Sequence, residues 1–196
     1  MKTIILFLTS VVVSINLIAQ KINEGVYLSA ADFTTGKISY INSQNNEKYK
    51  FYIHDGFNTS LIKIIIGNSV IKLNKDSIFG YRDKKNIYYR FFNKNVYKLI
   101  NPSEQILLYS RTFSEGGFRN NHSVTNYFFS ANANASIYPL SKWNLKKVFY
   151  TDIRFLELLD IYFDCDNELI SYDIINKIYN LNRIYELSKQ VICINK

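Results

Sequence analysis

The spacing of hydrophobic and polar positions changes about two thirds of the way along this chain. From about residue 25 to residue 130 the apolar residues form short runs, and Tyr49, Phe51 and Ile53 alternate with lysine or tyrosine neighbours, as in a half-buried strand. The runs recur every 8 to 12 residues with polar turns between them. This spacing predicts an antiparallel meander of about six to eight strands.

Short polar segments divide the predicted strands into hairpins. Gly67 and Asn68 separate two apolar runs and suit a two-residue hairpin turn. The predicted strands are 61–66, 70–73, 77–82, 87–92, 96–100, 105–112 and 127–130. The polar segments 114–124 and 131–139 are predicted to be loops, because neither has a strand-like or helical apolar spacing.

After residue 139 the apolar residues follow a helical spacing instead. Ser141 is a suitable N-cap for a short helix that ends near Phe149, and Thr151 or Asp152 can cap a second helix. Ser171 is predicted to cap the longest helix, whose stripe contains Ile174, Ile178, Leu181, Tyr185 and Ser188. Because these stripes require a partner surface, we expect the helices to pack on the sheet.

The predicted fold class is therefore α+β. An antiparallel β-meander of about six to eight strands is followed by three C-terminal helices that pack on one face of the sheet. Residues 20–196 are expected to form a single domain, which is β-rich over 20–130 and mainly helical over 131–196.

Residues 1–19 have the layout of a secretory signal peptide. A lysine stands at the second position, the run 4–18 is almost entirely apolar, and the small residue Ala19 precedes the polar Gln20. An uncleaved anchor is the alternative, but this run of about 15 residues is shorter than the roughly 20 that span a bilayer. We therefore expect cleavage after Ala19, export to the periplasm, the envelope or the medium, and no transmembrane segment after cleavage.

The charge of the chain does not indicate a nucleic-acid partner. The formal net charge is +8, but the basic residues are scattered, and the adjacent pairs are Lys84 with Lys85 and Lys146 with Lys147. The sequence contains no recognised nucleic-acid-binding pattern. We expect a mildly basic surface and no nucleic-acid binding.

Two histidines are the weak catalytic candidates. His54 lies beside Asp55, an arrangement that can orient a general base, although adjacent strand residues point to opposite faces. His122 lies in the predicted loop 114–124, near serine and glutamate residues. No Gly-x-Ser-x-Gly nucleophile elbow accompanies either of them. A strand-end histidine with a turn aspartate, and a histidine in a polar surface loop, are the structural alternatives.

The acidic segment around residue 166 is the weak metal candidate. Asp164, Asp166 and Glu168 could offer oxygen ligands to Ca²⁺, but Leu169 and Ile175 stand where an EF-hand requires glycine and glutamate. Helix caps and turn hydrogen bonds are the alternative role for these carboxylates. No phosphate-binding loop and no cluster of cysteine and histidine is present in the sequence, so we expect no cofactor.

The two cysteines leave two possibilities open. After export, Cys165 and Cys193 could form one disulfide, which would close a loop of about 28 residues and contribute roughly 3 kcal/mol on the chain-entropy estimate. The alternative is two buried thiols. A reactive thiolate is less favoured at Cys165, because Asp164 and Asp166 flank it.

The chain resembles small secreted proteins of unknown function from Bacteroidota-type bacteria. The resemblance rests on the signal ending at Ala19 and on several later segments, namely 25–29, 78–81, 138–140, 145–149 and 172–173. It implies export and a single unit, and it implies no catalytic residue. The family pattern carries a His-Lys pair after Tyr-Asp, where Asn176 and Lys177 stand in this chain.

Export together with the lack of a titratable cluster favours a non-enzymatic binding module of the periplasm or envelope. Its partner would be a protein, a peptide or a glycan, and its oligomeric state is left open. The 16 tyrosines and 14 phenylalanines would support such binding if they were exposed on the sheet face away from the helices. The alternatives are a small secreted hydrolase that uses His54 or His122, and a structural component of an envelope assembly.

Overall fold

The computed structural model describes residues 23–43, 48–53, 60–115 and 122–190. Within these ranges the chain forms a large antiparallel sheet, two smaller sheets and mostly C-terminal helices. The predicted α+β fold with a mainly antiparallel sheet is confirmed. No helix in the described part of the chain is long and apolar enough to cross a membrane.

The main sheet contains eight antiparallel strands. Their bounds are β1 Asn23–Tyr27, β2 Ser39–Ser43, β6 Gly80–Arg82, β7 Tyr88–Phe92, β8 Asn95–Leu99, β9 Leu107–Glu115, β10 His122–Ser130 and β11 Tyr138–Pro139. Their order across the sheet is β11-β10-β9-β8-β7-β6-β1-β2. Consecutive strands therefore pair from β6 to β11, as a meander predicts, and β1 pairs with β6 across a long sequence interval.

The remaining elements form separate small units. A three-stranded sheet contains β3 Lys50–Ile53, β4 Leu61–Ile66 and β5 Ser69–Asn74, and a two-stranded hairpin contains β12 Tyr172–Asp173 and β13 Ile178–Tyr179. The helices are α1 Ala30–Thr34, α2 Lys142–Val148, α3 Ile153–Tyr162 and α4 Asn180–Lys189. Single 3₁₀ turns occupy Lys75–Ser77 and Asp166–Ile170.

The local signals in the sequence identified several elements correctly. Ile66 pairs with Ser69 across the predicted two-residue turn, and Gly67 adopts φ 54° there. Ser141 Oγ accepts a hydrogen bond from the Asn144 backbone amide at 3.2 Å and caps α2, which begins at Lys142. Asp152, rather than Thr151, caps α3 in the same way. Each of these signals acts within four residues, so it does not depend on the tertiary fold.

The prediction of a loop over 114–124 is wrong for its described residues. Strands β9 and β10 continue to Glu115 and from His122 in one long hairpin, and the Thr112 and Thr125 hydroxyls are 2.9 Å apart across it. The outer part of this hairpin carries serine and threonine where a half-buried strand would carry apolar residues. Backbone pairing and hydroxyl contacts therefore define this part of the strands. The predicted loop 131–139 also ends in a strand, since β11 begins at Tyr138.

The prediction that Ser171 caps the longest helix is also wrong. Helix α4 begins at Asn180, and the preceding residues form the β12–β13 hairpin. The Asp173 carboxylate accepts hydrogen bonds from the Ile175 and Asn176 amides, both at 3.0 Å, and this Asx turn competes with helix formation. Ile174, expected on the buried stripe, is 80% exposed.

Both faces of the main sheet carry buried side chains. On one face, Leu108 and Phe129 pack against the three C-terminal helices, and the three-stranded sheet covers the other end of that face. On the opposite face, Tyr97, Leu99 and Tyr109 form a second core, which is completed by residues of α1 and of the segment 131–137. The aromatic residues at the centre of the face away from the C-terminal helices are therefore buried.

A buried arginine lies at the centre of this second core. Arg90 is 5% exposed. Its guanidinium donates to the Tyr109 hydroxyl at 2.8 Å, to Ser130 Oγ at 3.0 Å and to the Ala135 carbonyl at 2.7 Å. It also lies over the rings of Phe79 at 5.2 Å and of Tyr109 at 5.8 Å. Among the described residues no carboxylate pairs with it, so oxygen acceptors and ring faces stabilise the charge.

We predict that Arg90→Met lowers the free energy of unfolding by about 2 to 4 kcal/mol, because three hydrogen bonds to a charged donor are lost inside the core. Arg90→Lys should recover only part of this loss, since an ammonium cannot reproduce the planar set of donors. Urea denaturation followed by circular dichroism measures the change.

Arg111→Met is the matched control for Arg90. Arg111 follows Tyr109 on the same face of β9 but is half-exposed over Phe113, at 4.7 Å. Its replacement should change the free energy of unfolding by less than about 1 kcal/mol. Equal effects of the two substitutions would contradict the central role of Arg90.

Candidate functional site

A row of polar side chains crosses the three strands of the main sheet next to the helical layer. Lys98 on β8 is the register partner of Ser110 on β9, which is in turn the partner of Tyr127 on β10. The next row on the same face is the hydroxyl pair of Thr112 and Thr125. Because alternate strand residues share a face, these five side chains form one polar floor.

The β12–β13 hairpin supplies an aromatic wall to this floor. Tyr172 and Tyr179 are register partners whose ring centroids are 5.0 Å apart with an interplanar angle of 64°. Tyr172 is 46% exposed and Tyr127 is 39% exposed. The floor and wall enclose a cleft of about 730 Å³. We call it the tyrosine groove, and define it by Lys98, Ser110, Thr112, Thr125, Tyr127, Tyr172 and Tyr179.

A second cleft extends the groove along β10. Thr125, Tyr127 and Ile170 line both cavities, and the second has a volume of about 560 Å³. Phe128 and the segment 139–140 lie at its other side. The side chain of Tyr127 therefore belongs to both clefts.

The surroundings of Tyr179 keep its hydroxyl protonated. Burial raises the pKa of Tyr179, and the nearby Glu104 carboxylate and the phenols of Tyr172 and Tyr127 raise it further. Glu104 accepts from the Asn101 amide group at 3.0 Å and from the Tyr179 backbone amide at 3.4 Å, while burial raises its own pKa. The phenol of Tyr179 therefore stays a hydrogen-bond donor at neutral and mildly alkaline pH.

A separate cleft lies on the opposite face of the sheet. Tyr27, Phe33, Arg82 and Tyr88 line a cavity of about 690 Å³. Tyr27 and Phe33 contact edge to face at 5.5 Å, and Arg82 lies 5.8 Å from the ring of Tyr88. Burial raises the pKa of Tyr27 to about 12, although the nearby Arg82 charge lowers it. We call this the Tyr27 cleft.

The structure places His122, one of the two histidine candidates, outside both clefts. His54 and Asp55 lie outside the described residues. His122 begins β10 and is exposed beside its register partner Glu115. Neither the tyrosine groove nor the Tyr27 cleft is lined by His122. A hydrolase that uses one of these histidines thus remains a hypothesis from the sequence.

Two of the three acidic candidates, Asp166 and Glu168, accept hydrogen bonds from backbone amides. Glu168 Oε2 accepts from the amides of Asp164 at 2.7 Å and Cys165 at 3.4 Å, and Asp166 Oδ1 accepts from the Lys142 amide at 2.8 Å. In the described part of the chain no group of three histidine, cysteine or acidic residues could hold a metal ion. Cys165 is exposed, and Cys193 lies outside the described residues, so their pairing stays a prediction.

The wall of the tyrosine groove does not follow from the sequence pattern. The apolar spacing predicts one helix from Ser171 onward, which would place Tyr172 and Tyr179 on different turns of that helix. The available signal was Asp173 followed by Asn176 and a lysine, because Asp and Asn favour turns. Lys177 adopts φ 53° there.

We predict that Tyr27 makes the protein less stable at alkaline pH. The pKa of Tyr27 rises from 10.0 to about 12 on folding, so its contribution is complete below pH 10 and is lost as the pH rises from 10 to 12. The full loss is about 3 kcal/mol, from roughly 1.4 kcal/mol for each of the two pKa units. Urea denaturation at pH 8, 10 and 11 should show a smaller decline for Tyr27→Phe than for the wild type.

Tyr150→Phe is the control for this pH dependence, because Tyr150 is 71% exposed. It should leave the decline of stability with pH unchanged. A Tyr27→Phe protein that loses stability as steeply as the wild type above pH 10 would show that Tyr27 is not the source of this pH dependence.

Comparison with protein-family models, with curated proteins and with solved structures finds no match to this chain. The resemblance to secreted proteins of unknown function therefore stays an expectation from the sequence. The function has to be inferred from the described residues themselves. Among them, the tyrosine groove combines a cleft with a polar floor and exposed aromatic rings.

Proposed function

We propose that this protein is an exported, non-enzymatic binding module of the periplasm or envelope, which holds a glycan in the tyrosine groove. The observation that supports it is the combination of a hydroxyl-bearing floor with the exposed rings of Tyr127 and Tyr172. Sugars offer hydroxyl groups for hydrogen bonding and apolar C–H faces for packing on rings. Aromatic side chains with a polar atom meet both requirements.

The backbone of the groove floor favours a glycan over an extended peptide. The floor strands are paired on both sides where the floor lies nearest the helices: β8 at Lys98, β9 at Ser110 and β10 at Phe128. A peptide that binds by strand addition needs an unpaired strand edge. Recognition on this part of the floor must therefore come from side chains, and those available are hydroxyls, phenols and the ammonium group of Lys98.

The hairpin geometry suits a preorganised binding site. The Tyr172 and Tyr179 rings already contact each other, and Asn180 is tied back to Ser171 by a backbone hydrogen bond at 2.9 Å and a side-chain hydrogen bond at 2.9 Å. Fixing the wall before the ligand arrives reduces the entropy lost on binding. The groove thus needs little rearrangement to accept a ligand.

We predict that Tyr172→Ala and Tyr127→Ala each weaken glycan binding by about 2- to 12-fold, which corresponds to the roughly 0.5 to 1.5 kcal/mol of a ring contact. Tyr172→Phe should retain part of the affinity, because it keeps the ring and removes only the hydroxyl. Binding to a panel of bacterial envelope oligosaccharides, followed by titration calorimetry on the best ligand, measures these changes.

The control for the groove variants is Tyr150→Ala, which removes an exposed tyrosine outside the groove. It should bind as the wild type does. A wild-type protein that binds no member of the panel, or groove variants with unchanged affinity, would argue against glycan binding in this groove. Capture of a protein from an envelope extract, with the same loss in the Tyr172→Ala variant, would replace the glycan with a protein partner.

Export is predicted to leave Gln20 as the first residue. Intact-mass measurement of the protein recovered from its producing cells should give the mass of residues 20–196, since Ala19 is the small residue at the cut. Ala19→Arg should retain the uncleaved mass, because a large charged residue does not fit the cleavage position. A wild-type protein that keeps residues 1–19 would identify them as an anchor instead.

A further inference from the structure

The outer face of the three-stranded sheet gathers lysines that lie far apart in the sequence. Strand alternation places Phe51, Ile62 and Ile64 toward the core, where they pack with residues of the main sheet. The side chains at the alternate positions of these strands point outward. We call this surface the lysine face, and define it by Lys50, Tyr52, Leu61, Lys63, Ile65, Val70 and Lys72. No residue of β3, β4 or β5 is an aspartate or a glutamate, so the strands themselves supply positive charge alone.

Two of the lysines are placed directly opposite each other. Lys63 and Lys72 are register partners on β4 and β5, and Tyr52 is the partner of Lys63 on β3. Both lysines are exposed. Like charges at directly opposed positions of an antiparallel pair destabilise it. An anion between the two ammonium groups would remove this repulsion.

Apolar side chains are exposed between the lysines. Val70 is 52% exposed, Tyr52 is 43% exposed and Leu61 is 37% exposed. These groups gain nothing from contact with the charged backbone of a nucleic acid or the sulfates of a glycan. They do gain from entering the boundary between lipid headgroups and acyl chains, where lysines pair with phosphates and apolar side chains leave water.

We propose that the lysine face is a peripheral membrane-contact surface that binds the anionic headgroups of a phospholipid bilayer. The lysines supply the attraction to the phosphates, and Tyr52, Leu61 and Val70 supply the apolar contact. The positive net charge of the chain adds a longer-range attraction to an anionic bilayer. This contact goes beyond glycan binding in the tyrosine groove and shares no residue with it.

The test is binding to vesicles of phosphatidylglycerol and phosphatidylethanolamine, compared with vesicles of phosphatidylcholine. The protein is purified from its producing cells, its N-terminal residue is determined, and all variants are compared in the same processed state. Lys63→Gln with Lys72→Gln should weaken binding to the anionic vesicles by about 25-fold, from roughly fivefold for each lysine near a charged membrane. Binding should fall with added salt.

Val70→Ser tests the apolar part of the contact separately. It should weaken binding to the anionic vesicles at high salt, where the electrostatic contribution is screened. A purely electrostatic contact would leave the binding of this variant unchanged and would overturn the apolar part of the proposal.

The matched control is Lys85→Gln with Lys147→Gln, which removes the same charge from exposed positions outside the lysine face. It should retain nearly all of the vesicle binding. The melting temperature of the Lys63 and Lys72 variant should stay equal or rise, because an opposed like-charge pair is removed. Equal vesicle binding by the two double variants, or tighter binding to single-stranded DNA or heparin than to anionic vesicles, would overturn the proposal.

Discussion

The buried guanidinium of Arg90 is the contact on which the arrangement of the layers depends. Between Ser130 and Ser141 the chain leaves β10, crosses the face that carries Tyr109, forms β11 and enters the helices on the opposite face. Arg90 donates to Ser130 at the start of this crossing and to the Ala135 carbonyl in its middle. The Tyr109 and Ser130 hydroxyls are also 2.9 Å apart. A cation held by neutral acceptors and ring faces thus fixes where the chain passes from one face of the sheet to the other.

Because both faces of the main sheet are covered, its exposed side chains lie where the covering layers end, and binding surfaces are expected there. The helices cover Leu108 and Phe129, and the three-stranded sheet covers Phe91 and Val96. Between these two layers the same face exposes Lys98 and its neighbours on the floor of the tyrosine groove. The aromatic side chains at the centre of the sheet are buried in the core. The sheet therefore contributes to binding through the side chains that remain exposed between the two covering layers.

The signals that act over a few residues could be predicted from the sequence, and the contacts between distant segments could not. The caps at Ser141 and Asp152 and the Gly67 turn depend on local geometry, and all three are confirmed. The separate three-stranded sheet and the long pairing of β1 with β6 depend on register between remote strands, which apolar spacing does not encode. The clustering of charge on the folded protein could not be predicted from the sequence either. Lys63 and Lys72 are unremarkable in a scattered sequence pattern, and only strand register places them opposite each other.

The tyrosine groove and the lysine face are connected through strand register and two ring contacts. Lys98 on the groove floor is the register partner of Tyr89, whose ring stacks on Tyr81 at 6.3 Å, and Tyr81 contacts Phe51 at 5.4 Å. Tyr52 follows Phe51 in β3 and points to the lysine face. Because packed side chains of this kind have one preferred arrangement, this connection fixes the orientation of the two surfaces and provides no switch between them. A bilayer contact through the lysine face would hold the groove at a constant distance from the membrane, where a ligand attached to the envelope would meet it.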